Sequence, residues 1–174
     1  FPLTLLIFVE TKAAFGLRIE IGSDAVSLRL PARRGHVIHS AVSRIIPLSE
    51  IAGVETRAEA FSQIGVVAVQ QAYRLALRSG EVIELGADRQ FQETVIGDAA
   101  QRVAKRINMP IRDRGMIDGE PGFLAAAGTS VPDWSAAPLS EAEMASRHTA
   151  AASALKAINL SLLVVLIARL IARR

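Results

Sequence analysis

Leu17-Arg18-Ile19-Glu20-Ile21-Gly22-Ser23-Asp24-Ala25-Val26-Ser27-Leu28-Arg29-Leu30 opens the stretch, Leu17 to Gly115, whose reading decides the fold. Leu17, Ile19 and Ile21 alternate with Arg18 and Glu20, and Val26, Leu28 and Leu30 alternate with Ser27 and Arg29. A period of two on both sides of Gly22-Ser23-Asp24 predicts a β-hairpin with one buried face. Pro31 and Arg33-Arg34-Gly35 break the strand, Val37 to Ile46 is rich in β-branched residues, and Pro47 to Ile51 turns the chain into Val54-Glu55-Thr56-Arg57. Phe61 to Val66 reads as either a loop or a strand start. Tyr73, Leu75 and Leu77 alternate again, Ser79-Gly80 is a two-residue loop, and Ile83 and Leu85 return as a second hairpin.

From Gln90 to Asn108 the spacing becomes helical. Phe91, Val95, Ala99, Val103 and Ile107 form one stripe, Ala100 and Ala104 widen it, and Glu93, Asp98, Arg102, Lys105 and Arg106 take the remainder. Pro110 stops the helix. The change of period from two to 3.6 predicts an α+β domain, a small sheet closed by one helix, over residues 16–115.

Working outward, 174 residues leave room for one ordinary domain with appendages and none for a second of enzyme size. Net charge is +3, with 17 of the 20 basic residues Arg, scattered among 17 acids. Nucleic acid would call for a one-sided basic stripe, so it is not expected as a partner. The absence of cysteine removes disulfides, thiolate metal sites and cysteine nucleophiles, and leaves the compartment open. The chain begins at Phe1, which reads as processed or partial sequence. Residues 1–15 form an apolar stub whose first nine residues carry no charge. Nine helical residues cover about 14 Å, under half a bilayer core, so the stub reads as the end of a membrane helix or as a buried strand.

Residues 116–139, rich in Gly and Pro, read as a linker. Its Trp134 is either a docking anchor or a local cover for apolar surface. Ser140 and Glu143 fit a capping box at the start of a helix over 140–174. Ala157 to Ala168 gives twelve uncharged residues, short of a span. Tolerating Lys156 widens the stretch to twenty, Thr149 to Ala168, and Arg169, Arg173 and Arg174 can snorkel to the headgroups. Ile158 to Ile167 is apolar on all sides of the cylinder, so a transmembrane segment over about 150–172 is expected, with a buried oligomerisation helix as the alternative. Ser153, Ala157 and Ser161 recur every four residues, a stripe that admits a neighbouring helix, and Asn159 adds a polar group that lipid would not satisfy. Such spacing also arises simply because Ala and Ser are common.

Chemistry is sparse. His36 and His39, three apart in a strand, point to opposite faces and cannot easily share a metal ion. Neither a phosphate loop, a nucleophile elbow nor a His-Glu metal helix occurs. No catalytic residue, cofactor, metal or small-molecule substrate is therefore expected. Arg29, Arg33, Arg34, His36, His39 and Arg44 gather positive charge around one loop, where anionic headgroups could contact Arg33, Arg34 and His36. A solvated loop is the plainer reading.

Ile46 to Glu55, Tyr73 to Gly86, and Ala99 to Asn108 with its tail together resemble the bacterial pleckstrin-homology-like (PH-like) domain of membrane proteins. The resemblance covers about residues 16–115 and implies a bent antiparallel sheet or partly open barrel capped by the helix. It also implies a neighbourhood of transmembrane helices and a domain on the cytosolic side of the bacterial inner membrane. The C-terminal arginines point the other way by the positive-inside rule. The expected function is that of a non-catalytic, membrane-anchored accessory or scaffold subunit, held in the lipid bilayer and docked on an integral membrane protein complex. A lipid-headgroup-binding sensor is the alternative.

Overall fold

The computed structural model describes residues 16–34, 37–63, 66–90, 94–120 and 131–172, so the N-terminal stub, His36, Phe91, Arg173 and Arg174 lie outside the described residues. The chain is α+β, with two main sheets and two α-helices among the described residues. Strands β1 (Arg18–Ile21), β2 (Ala25–Leu30) and β5 (Val42–Pro47) make an antiparallel three-stranded sheet, and β3 (Arg33–Arg34) and β4 (Val37–Ile38) make a short ribbon beside it. A single 3-10 turn, Leu48–Glu50, leads into β6 (Ile51–Gln63). Strands β7 (Val66–Leu77) and β8 (Val82–Arg89) follow as a meander, and β9 (Arg112–Asp118) completes a four-stranded sheet in the order β8-β7-β6-β9.

The two predicted hairpins form as β1–β2 and β7–β8, the second closed at Gly80, whose φ of 88° suits a residue without a Cβ. Of the stretch open between loop and strand in the sequence, Phe61–Gln63 ends β6 and Val66 begins β7, and the two strands pair out to Gln63 and Val66. The core lies between the sheets. Val26, Leu28, Leu30 and Ile46 of the first face Val54, Leu75, Ile83 and Leu85 of the second, and all are buried. Each such aliphatic side chain contributes roughly 2 kcal/mol through burial.

Helix α1 (Val95–Arg106) closes this core with Ile96, Ala100, Val103 and Ala104. Ala99, Ala100, Val103 and Ala104 of the expected stripe are buried, and among its described residues only Val95 departs from it. The helix starts at Val95, so that side chain sits 54% exposed in the first turn while Ile96 turns inward. Its N-terminus is capped from the sheet: the Ile96 and Gly97 N–H groups donate to the Asp88 carboxylate at 3.1 and 2.6 Å. Gly97 is required there, because a Cβ would stand 2.7 Å from the Tyr73 hydroxyl.

Pairing continues past Gly115. Strand β9 runs to Asp118 and pairs parallel to β6, with Glu55 opposite Arg112 and Ala60 opposite Asp118, where an antiparallel sheet was expected. The α1 crossover accounts for this, since it returns the chain to the same end of the sheet from which β6 departs. Segment 131–139 then folds over β9: Leu139 N–H donates to Met116 O at 2.7 Å, and a Cβ on Gly115 would meet Pro138 at 2.7 Å.

Helix α2 (Glu141–Ala172) begins at the predicted capping box, in which the Ser140 N–H donates to Glu143 Oε2 at 2.9 Å and the Glu143 N–H returns to Ser140 Oγ at 3.4 Å. Its first turns pack on β7. Met144 and Ala151 meet Ala58, Ala60, Val69 and Met116, a second and smaller apolar cluster. From Leu155 onward every described side chain of α2 is exposed.

Candidate functional site

Three places could carry function: a cavity beside Arg34, the outer face of the four-stranded sheet, and the bare part of α2. The cavity holds about 560 Å³ and is lined by Arg34, His39, Ser40, Val42, Arg44, Glu81, Val82, Ile83, Glu84 and Val131. Arg34, expected to contact headgroups, is 6% exposed, and its Nη1 donates to the carbonyls of Pro31 at 2.8 Å and Ser40 at 3.2 Å. Its Nε is buried without a hydrogen-bond partner. Arg44 is committed to Glu81, with Nη1 at 2.8 Å from both carboxylate oxygens. Burial, reinforced by the Arg34 charge, lowers the His39 pKa to about 4, so this ring is neutral at pH 7. Burial raises Glu84 to about 7 against the opposing charges of Arg74 and Arg34. Arg34, His39 and Arg44 of the positive group thus line a cavity that also contains the carboxylates Glu81 and Glu84. The side chains of Arg33 and His36 are outside the described residues.

On the outer sheet face, alternation along β6 places Glu55, Arg57 and Glu59 side by side, and all three are buried. Glu55 is gripped from both neighbouring strands. Its Oε2 accepts from Arg74 Nε at 2.8 Å and Nη2 at 2.6 Å, and its Oε1 accepts from Arg112 Nη1 at 3.3 Å and from Arg114. Burial alone would raise the Glu55 pKa, but the hydrogen bonds from Arg114 and Arg74 outweigh it and hold the carboxyl below its ordinary value. Arg57 donates Nη1 to Trp134 O at 2.8 Å and Nη2 to Ala136 O, tying segment 131–139 to the sheet. Gln70 donates to Glu59 at 2.8 Å, and burial raises that carboxyl.

Trp134 is neither a free anchor nor a cover for apolar surface. Its ring lies 4.1 Å from the Arg74 guanidinium, a cation–π contact over the Glu55 cluster. Its Nε1 is buried without a hydrogen-bond partner of standard geometry, and it faces the Glu84 carboxyl closely enough to oppose the rise that burial causes there. The cluster is a closed structural network, with every Glu55 oxygen satisfied by protein. Nothing in the local sequence around Glu55 announces its arginine partners. The available signal was the alternation of Arg112 and Arg114, which marks them as one face of a strand.

Helix α2 presents Ser153, Ala157, Asn159 and Ser161 on exposed turns. Ser161 Oγ donates to Ala157 O at 2.9 Å, within the helix itself. The Asn159 carboxamide has no hydrogen-bond partner among the described residues. The most apolar eighteen-residue stretch of α2 has mean hydropathy 2.0, with 6% of it buried, so the helix is long and apolar enough to cross a membrane. Among the described residues no group of three or more His, Asp or Glu side chains is placed to hold a metal ion. Comparison with protein families, curated proteins and solved structures finds no match to this chain.

Proposed function

We propose that the chain is a non-catalytic, membrane-anchored accessory subunit that docks on a larger integral membrane protein complex. The observation that carries this reading is the division of α2. One helix is fastened to the sheet through Met144, Arg147 and Ala151, and then continues unbroken into some eighteen residues whose described side chains are all exposed, about 27 Å of apolar cylinder. A hydrocarbon layer of about 30 Å suits that length. Within such a layer, the small stripe Ser153, Ala157 and Ser161 permits close approach of a second helix, and Asn159 needs a partner that lipid does not supply.

Two sheets around one core with a single closing helix agree with the PH-like resemblance, while the parallel strand β9 departs from it. The bacterial inner membrane and a cytosolic domain are what that resemblance implies for the setting. The competing headgroup sensor loses support from the cavity: Arg34 is spent on backbone carbonyls, Arg44 on Glu81, and Glu84 adds negative charge as pH rises. Capture of the tagged full chain from membranes in a mild detergent should recover an integral membrane protein. Ala157→Leu combined with Ser161→Leu should release that protein while the chain stays membrane-bound. A chain that runs alone in detergent, or a partner retained by the double variant, would count against the helix interface.

A further inference from the structure

The direction in which α2 leaves the sheet identifies the end of the domain that meets the bilayer. Leu139, just before the helix, bonds Met116, which is paired with Ala58. Two turns later Arg147 pairs with Asp118 at 2.8 Å, level with Ala60. His148 lies 3.2 Å from Gln90, whose N–H is bonded to Val69, the partner of Ala60 in β7. The helix therefore climbs along β7 towards the Gln63–Val66 end of the β6–β7 pair. From Arg147 to Ala154, the last half-buried residue of α2, seven residues rise about 10 Å. From Ala60 to Gln63, three strand residues rise about 10 Å as well. The sheet ends where the bare helix begins.

That end has its own composition. Residues 60–73, between Glu59 and Arg74, contain no Asp, Glu, Lys or Arg, and this is the longest uncharged run in the chain, longer than Ala157–Ala168 in α2 itself. Val66 is 37% exposed and Ser62 is exposed, with Val67 half-buried against the small cluster under α2. Near this end Asp118 is paired with Arg147, Glu59 is buried against Gln70, and Glu120 is exposed, a position suited to the headgroup layer. Lys156, one residue past Leu155, stands where a snorkelling cation belongs.

Building on the membrane reading of α2, we propose that the Val66 end of the β6–β7 pair is a second contact with the lipid bilayer, seated in its interfacial layer beside the emerging helix. Helix and strand end then hold the domain in one orientation, with the Glu81–Glu84 cavity turned away from the lipid. The chain has no cysteine, so single labels report cleanly. Full-length Val66→Cys, Val82→Cys and Leu163→Cys chains would carry a nitroxide in vesicles of phosphatidylcholine and phosphatidylglycerol. Collision with oxygen would be compared with collision with a water-soluble nickel chelate. The expected result is a reversal of sign: oxygen preferred at positions 66 and 163, nickel preferred at position 82. Nickel preference at 66 with oxygen preference at 163 overturns the interfacial contact and leaves the spanning helix intact. Nickel preference at 163 overturns the membrane reading itself.

Discussion

The two ends of the four-stranded sheet are built from opposite materials. At the Gln63–Val66 end, β6 and β7 carry an uncharged run, and α2 lies against it before leaving the domain bare. At the other end, Arg34, His39, Arg44, Glu81 and Glu84 surround a cavity, and the Arg44–Glu81 pair ties β5 to the β7–β8 hairpin. The Glu55 cluster stands between them. One strand pair thus passes from apolar to ionic along its length, and this separates two jobs that the sequence presents together. On the proposed reading, attachment belongs to the uncharged end and its helix. Arg34, His39 and Arg44, part of the positive group that offered an alternative headgroup contact, belong to the ionic end, where Arg44 is paired with Glu81.

The comparison breaks most completely if the bare helix is charged. Val164→Arg with Val165→Arg places two guanidinium groups at the middle of the exposed segment, at about 3 kcal/mol each for insertion. The chain should move from the pellet to the supernatant after alkaline carbonate washing, with the domain still folded. Retention in the pellet would show that attachment does not depend on α2. Next in size is the boundary itself. Glu55→Leu leaves Arg74, with its side chain 15% exposed, beside two further arginines and no carboxylate. Stability should fall by about 3 kcal/mol, at the low end for a broken buried pair because Arg112 and Arg114 reach solvent. Urea unfolding followed by tryptophan emission measures it, and Trp134 over Arg74 makes the signal local.

The ionic end should answer to pH in two opposing ways. Glu84 titrates near 7 in the folded chain and near its ordinary 4.5 when unfolded, so between those values the folded state holds the extra proton. Its contribution to stability therefore falls as pH rises from 4.5 to 7 and is constant above. His39 titrates near 4 folded and 6.5 unfolded, so its contribution is complete above pH 6.5 and is lost as pH falls towards 4. Glu84→Gln should raise stability at pH 8 by about 2 kcal/mol, with solvent at the cavity mouth screening the remainder. It should leave a profile that falls more steeply on the acid side than the parent's. His39→Gln should instead leave the Glu84 contribution alone, which rises as pH falls from 7 towards 4.5. Identical pH profiles for the two variants and the parent would remove both groups from the linkage.

Periodicity carried the local elements because it reports burial directly: both hairpins and the helix after Gln90 follow from alternation that switches from two to 3.6. What it could not carry was pairing at a distance. Arg112-Asp113-Arg114 reads as a polar tail until β9 is laid beside β6, because its partner Glu55 is 57 residues away from Arg112 in the chain and nothing local announces it. The first turn of α1, where Ile96 rather than Val95 turns inward, was hidden for a similar reason. Its cap is Asp88 on the preceding strand, which the helix's own residues do not reveal. The apolar character of α2 was legible, since a cylinder without a polar face leaves few alternatives. The point where it leaves the sheet was not, because Ala151 and Ala157 are chemically identical and only the packing of Val67 and Val69 tells them apart.

The smallest expected effect tests how firmly the helix is started rather than where it ends. Ser140 supplies one member of the capping box, and its hydroxyl also donates to Glu143 at 2.6 Å. Ser140→Ala leaves the first-turn N–H groups of α2 to water, at a cost of about 1 kcal/mol. Thermal unfolding of the full chain in detergent should shift down by a few degrees, whereas carbonate resistance should not change. The two readouts separate because the cap stabilises the turns that carry Met144 and Arg147 on the sheet, while membrane retention rests on the residues beyond Leu155. If the cap variant also escaped into the supernatant, docking and attachment would be one cooperative event, and the division of α2 into a fastened part and a bare part would have no functional meaning.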